Sequence, residues 1–262
     1  MELLRNLPAS DGASRDAVRR RASEVLRPPG AFARLDETAA WLAAWQRTSM
    51  PSVSSPALIV LAGDHGVVSE GVSAYPAGVT AAMLKALRHK VATGTVLAGD
   101  IGADVYVVDC GVGRPTGNVA VEPAMDKERF TSCFELGRST VRDIDSDLLI
   151  LGEMGIGNST AAAAVAASLF GLASEDWTGR GTGVDDVTLR RKVDVVRRAR
   201  ERIGSCDQIE ILRQLGGTEM VALAGAILEA RLKSLPVVLD GFVVTAAAAT
   251  LEAACAGTLD HC

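Results

Sequence analysis

Four short apolar runs, each ending against an acidic residue with glycine beside it, constrain this chain more than any other feature. Leu58–Leu61 leads into Gly63-Asp64-His65-Gly66, and Val105–Val108 into Asp109-Cys110-Gly111. Leu148–Leu151 leads into Gly152-Glu153-Met154-Gly155, and Val237–Leu239 into Asp240-Gly241. Runs this short and continuously apolar read as strands covered on both faces, the habit of parallel sheets. Helical periodicity fills the intervals, near residues 76–98, 158–172, 186–203, 216–233 and 242–256. Strand and helix in alternation, with short connections, predict an open α/β fold. The expected form is a mainly parallel sheet with helices on both faces, a Rossmann-like three-layer arrangement. Two more helical patterns, 14–26 and 35–47, flank Pro28-Pro29-Gly30 and predict a small helical hairpin. Residues 1–50 are therefore expected as a helical small-domain segment and 51–262 as the α/β domain. Residues 114–135 give no readable pattern.

The core of such a sheet must here be aliphatic. Hydrophobic residues are 48% of the chain but aromatics only 4%, and 26 glycines suit helices packed closely on a sheet. A formal net charge of −5 argues against a nucleic-acid-binding surface. Residues 1–12 lack the apolar stretch of a secretory signal and nothing is long and apolar enough to span a bilayer, so no membrane partner and a cytoplasmic protein are expected. Five scattered cysteines without a CxxC, and three histidines, speak against a disulfide framework or structural zinc. No metal and no cofactor are expected, and the cysteines read as small buried hydrophobes.

In open α/β folds ligands sit at the carboxyl ends of the strands, where this chain places its four acidic residues. Such a rim could hold ribose hydroxyls, a divalent metal or a positively charged ring; equally, each acid could simply cap a helix. The stretch Gly152-Glu153-Met154-Gly155-Ile156-Gly157-Asn158-Ser159-Thr160 leaves a strand and opens an alanine-rich helix, a common way to hold phosphate. It is not a P-loop, because Asn158 stands where the lysine belongs, nor a dinucleotide fingerprint, because the third glycine is missing. What survives is a loop of backbone donors with the hydroxyls of Ser159 and Thr160, suited to a single phosphate. A second loop, Gly179-Arg180-Gly181-Thr182-Gly183, precedes a basic helix from which Lys192 could supply positive charge. Arg197, Arg198 and Arg200 on that helix read as a solvated face. A lone His65 reads as structural more readily than catalytic. Tyr75 could wall a planar ring or merely pack.

With these residues in view, the chain resembles the nicotinate-nucleotide–dimethylbenzimidazole phosphoribosyltransferases of cobalamin biosynthesis. The resemblance is carried, in the family's order, by RPPGAFARLDETAAWLAAWQ, AGDHGVVSEGVSAYPAGVT, VEPAM, LLILGEMGIGNSTAAAA, GRGTGVDDVTLRRK, LGGTEMVALAGAI and PVVLDGFVVTAAA. It implies transfer of a 5-phosphoribosyl group from nicotinate mononucleotide to 5,6-dimethylbenzimidazole, giving α-ribazole 5′-phosphate and nicotinate. Nicotinate leaves from a pyridinium and needs no protonation, while a carboxylate must take the benzimidazole N–H proton. On this resemblance Glu153, Gly155, Gly157, Asn158, Ser159, Thr160, Gly181, Thr182, Gly183 and Lys192 are expected to hold the phosphoribosyl group. Ser73, with Tyr75 close by, is expected at the base. Where the family has a VTAQM-like stretch, this chain has Val79-Thr80-Ala81-Ala82-Met83, which removes one polar contact to the base. The family's general-base glutamate lies in a segment beyond Cys262, so the catalytic residue is unassigned within the chain and residues 1–262 alone are expected to transfer poorly. The family also implies a homodimer. The alternative reading is a catalytically inactive mononucleotide-binding homologue or partner subunit.

Overall fold

In the computed structural model, which describes residues 6–28 and 30–262, the four apolar runs form one parallel sheet. Its strands are β1 (Pro56–Ala62), β2 (Asp104–Asp109), β3 (Leu148–Met154) and β4 (Val237–Leu239), side by side in the order β2-β1-β3-β4. Residues 1–5 of the expected helical segment and Pro29 of its linker lie outside the described residues. β1 is buried along its whole length, which explains why PALIVLA shows no alternation: it has a strand on each side and helices over each face. Leu58 and Val60 point to a smaller cluster under α3 (Val79–Arg88) and α4 (Thr93–Asp100). Ile59 and Leu61 point to the main core under α5 (Lys127–Arg142), α6 (Asn158–Phe170), α10 (Thr218–Leu232) and α11 (Phe242–Ala254).

This winding fixes where a ligand can enter. The chain leaves β1 through α3 and α4 on one face and reaches β3 through α5 on the other. The connections therefore diverge at the carboxyl ends of neighbouring β1 and β3, opening a crevice at the point where strand order reverses.

Two differences from the sequence reading have local causes. The helical span 76–98 is two helices, broken at Lys90, whose φ of 57° is left-handed. Unread residues 114–135 end in α5, capped by the Asp126 carboxylate on the Arg129 amide at 2.8 Å. The helix expected near 216–233 forms as α10, which is buried from Thr218 to Arg231 and has no polar face. It lies against α5 so closely that a side chain at Gly137 or Gly225 would strike the carbonyl of Ala222 or Phe134. Helices α7 (Ser174–Trp177), α8 (Asp186–Ile203) and α9 (Gln208–Leu215) complete the β3–β4 connection. Helices α1 (Gly12–Glu24) and α2 (Ala33–Gln46) form the hairpin, anchored where Trp45 lies 4.2 Å beneath the Arg231 guanidinium. Cys110 and Cys133 are buried as expected of small hydrophobes, whereas Cys206, Cys255 and Cys262 are only partly so.

Candidate active site

The crevice is built from the residues that follow β1 and β3. Gly63 N–H donates to Met154 O at 3.0 Å, which ties the two strand exits together. Beneath them lies a buried pair that sequence reasoning missed as a unit. His65 is 3% exposed and Glu219, at the start of α10, is 0% exposed; their side chains meet at 2.7 Å. The imidazole fits because Gly155 and Gly217 carry no side chain: a Cβ on Gly155 would lie 3.1 Å from His65 Nε2, and one on Gly217 would strike the ring. Burial disfavours the imidazolium, but the Glu219 carboxylate, helped by Glu153 and Asp64, outweighs it and holds His65 above its ordinary pKa. Glu219 was legible only as part of the LGGTEMVALAGAI stretch; no spacing links it to His65, 154 positions away.

Above this pair is a cavity of about 220 Å³. The β3 exit and α6 start contribute Glu153, Gly155, Gly157, Asn158 and Ser159 to its wall. The second glycine loop and α8 contribute Gly181, Thr182 and Lys192, with Ser73 from the loop before α3. Arg180, Phe242 and Val243, which sequence reasoning had not singled out, also line it. The volume lies below the roughly 300–1,000 Å³ usual for drug-sized ligands, so it suits one phosphoribosyl group better than a whole dinucleotide.

The two sides of the cavity differ in charge. Lys192 is 2% exposed; its ammonium donates to Gly179 O at 2.9 Å and Ser159 Oγ at 3.2 Å. Among the described residues no carboxylate pairs with it, and burial lowers its pKa. A buried ammonium without a counter-ion at a helix start favours an anion beside it. Opposite stands Glu153, whose Oε2 accepts a hydrogen bond from Asn158 Nδ2. Burial and then the Glu219 charge push this carboxyl up to about 7, against the pull of Asn158 and His65.

The remaining expected residues lie off the cavity wall. Thr160 is buried within α6, its amide bonded to Gly157 O at 3.0 Å, so its hydroxyl faces the protein. Tyr75 is 49% exposed on the loop beyond Ser73, outside the lining, and Gly183 is likewise outside it. The first glycine loop also offers fewer backbone donors than its sequence suggested. The amides of Ile156 and Asn158 already donate to Thr80 Oγ1 at 3.1 Å and Gly155 O at 3.2 Å. Of the other rim acids, Asp109 caps the amides of Gly111 and Val112, and Asp64 accepts from Gly113 N–H at 2.7 Å. These two carboxylates therefore hold the turn after β2 and cap no helix. Arg198 is no solvated face residue either: it bonds Glu70 at 2.6 Å, while Arg191 donates to Gly71 O at 3.2 Å. Together they strap the segment leading to Ser73 onto α8.

Comparison with known proteins adds a family to this geometry. A family described as phosphoribosyltransferase matches residues 7–262. A nicotinate-nucleotide–dimethylbenzimidazole phosphoribosyltransferase of Ruegeria pomeroyi is 45% identical over 260 residues, 99% of this chain and 77% of that protein. One of Roseobacter denitrificans is 44% identical over 262 residues, 100% of this chain and 77% of its own length. Among solved structures, CobT from Thermus thermophilus superposes with a TM-score of 0.91 at 40% identity, covering 95% of this chain and 80% of that one.

Proposed function

The chain belongs to this phosphoribosyltransferase family, and on that premise we propose how its site performs the transfer named for its relatives, from nicotinate mononucleotide to 5,6-dimethylbenzimidazole. The observation that carries the reading is the single cavity joining an uncompensated cation, Lys192, to a carboxyl poised near neutrality, Glu153. The phosphate lies against Lys192, Ser159 and Gly181, where the positive end of α6 adds to the ammonium. The ribose then spans toward Glu153 and Asn158, and the acceptor base enters past Ser73 with Phe242 as its apolar neighbour. The lone-pair nitrogen of the base forms the new bond to C1′ as the old C1′–N bonding pair leaves with neutralised nicotinate. The N–H proton of the base passes to a carboxylate.

Within residues 1–262 Glu153 is the carboxylate best placed for that proton, because its environment brings its pKa to the range where a base works at neutral pH. The sequence reading expected it among the residues that hold the phosphoribosyl group. The inactive-homologue reading makes the opposite demand: nucleotide binding without turnover. Incubating the chain with both substrates and following α-ribazole 5′-phosphate separates the two. Product formation that falls about 10²–10⁴-fold in Glu153→Gln supports the assignment; binding without product in either protein sinks it. The homodimer belongs to the same family reading and the cytoplasmic setting to the sequence reading; sedimentation and cell fractionation test them.

A further inference from the structure

A phosphate monoester carries roughly −1.5 to −2 charges at neutral pH. Against that, the cavity sets one buried ammonium, Lys192, and about half a positive charge from the start of α6. The Glu153 carboxyl on the opposite wall adds none, so the anion is undercompensated. Among the residues that line the cavity only Arg180 offers a further positive charge. Its backbone already brackets the lysine. Gly179 O, just before it, accepts from Lys192 Nζ at 2.9 Å, and a Cβ on Gly181, just after it, would lie 3.3 Å from the same nitrogen. Its guanidinium, however, is spent on its own loop: Nη1 donates to Val184 O at 2.9 Å and Nη2 to the Asp186 carboxylate.

That engagement is easily exchanged. The Arg180 and Asp186 side chains are 54% and 70% exposed, and an ion pair so open to water holds weakly. Asp186 also feels a second cation, Arg190, one turn along α8, and so can release Arg180 without being left alone. We propose that Arg180 is the second cation of the phosphate site, held at the cavity mouth by Asp186 until a phosphate monoester takes the guanidinium over. The inference rests on the placement of phosphate beside Lys192. It makes Asp186 a competitor of the substrate, because carboxylate and phosphate draw on one guanidinium. The lysine serves the phosphate from the buried side and the arginine from the solvent side, where its planar fork can bond two phosphate oxygens.

The test is calorimetric titration of the full chain with nicotinate mononucleotide. Arg180→Met should weaken binding about 10-fold, the loss of one exposed charge-assisted contact. Arg180→Lys should recover part of it, because the charge stays while the fork is lost. Asp186→Asn should bind roughly threefold tighter, since the exposed carboxylate no longer competes for the guanidinium. In the Arg180→Met background Asp186→Asn should then have little effect. An arginine that merely staples its loop predicts the opposite sign: Asp186→Asn loosens the staple and binding falls. That fall, an unchanged affinity in Arg180→Met, or a gain from Asp186→Asn that persists undiminished without Arg180 overturns the proposal. Lys192→Met separates it from the reading beneath it. Binding that is absent from the wild-type chain, or undiminished in Lys192→Met, defeats the phosphate placement and the proposal with it. Binding weakened in Lys192→Met but not in Arg180→Met defeats only the role of Arg180. Should Arg180→Met fail to fold, the sign of the Asp186→Asn effect decides alone: a rise supports the proposal, and a fall or no change overturns it.

Discussion

Two glycine-rich loops flank the cavity, and although they look alike in sequence their glycines face opposite ways. In the first, Gly157 has a φ of +91°, and a Cβ there would lie 2.8 Å from Val68 Cγ2 and 3.5 Å from His65 Cβ. The empty space it keeps is inside the protein. In the second, Gly181 has a φ of +53°, and its Cβ would lie 3.1 Å from Ser159 Oγ and 3.3 Å from Lys192 Nζ. That space opens on the cavity, between Ser159 and Lys192. One loop is glycine-rich so that a buried imidazole and its neighbours can fit beneath it, whereas the glycine of the other keeps clear the lysine that faces the cavity. Sequence reasoning expected both loops to hold the phosphoribosyl group; packing gives the first an additional, internal reason for its glycine.

The contrast can be broken most forcefully at Gly157. Gly157→Val combines left-handed strain with overpacking against Val68, on the order of 4 kcal/mol in all, or roughly 10 °C in Tm. Thermal melts should show that loss together with loss of nucleotide binding. Gly181→Val should separate the two effects. Calorimetric titration with nicotinate mononucleotide should show affinity down about 100-fold, from the occupied anion site, while Tm falls by only a few degrees. Equal destabilisation by the two variants would erase the distinction between the loops.

Lys192→Met sharpens the same comparison. Losing a charge-assisted contact to phosphate should weaken binding about 10- to 100-fold. Tm should hold or rise, because the variant no longer buries an ammonium whose pKa burial has lowered. A large fall in Tm with intact binding would make Lys192 a structural residue. The smallest expected effect is on the pH dependence of stability in Glu153→Gln. The carboxyl is protonated in folded and unfolded chains below its ordinary value of 4.5, and ionised in both above about 7. Between these the folded state binds the extra proton, so wild-type stability declines as pH rises through that window. Glu153→Gln should therefore gain a few degrees of Tm at pH ~8 and nothing near pH ~4. A gain independent of pH would mean that the charge of Glu153 does not matter to the fold.

Much of this site was written locally and could be read that way. Glu153 stands near the end of a strand with Gly157, Asn158 and Ser159 just after it, Gly181 and Thr182 precede a helix, and Lys192 lies two turns into it, so each is placed by its own element. Tyr75 and Thr160 show the limit of that reading. Chemical type and nearness in sequence suggested a role, but the rotation of α6 turns Thr160 inward, and the loop carries Tyr75 out to solvent.

What the sequence by itself determined is the periodic part: four parallel strands, the helices between them, and the small-residue turns at the strand ends, because hydrophobic period and turn chemistry are local properties; of the strands expected to be buried on both faces, only β1 is, since β2 and β4 form the sheet's edges and β3 is half-covered. Which strands adjoin, and hence that the crevice opens between β1 and β3, follows from the direction each crossover takes over the sheet. That Glu219 reaches His65, that Arg198 straps Glu70, and which way each glycine faces were decided only by tertiary packing. Such pairings depend on how α8 and α10 seat against the rest of the fold, and ionisable groups far apart in the chain acquire their chemistry only when burial removes the water between them.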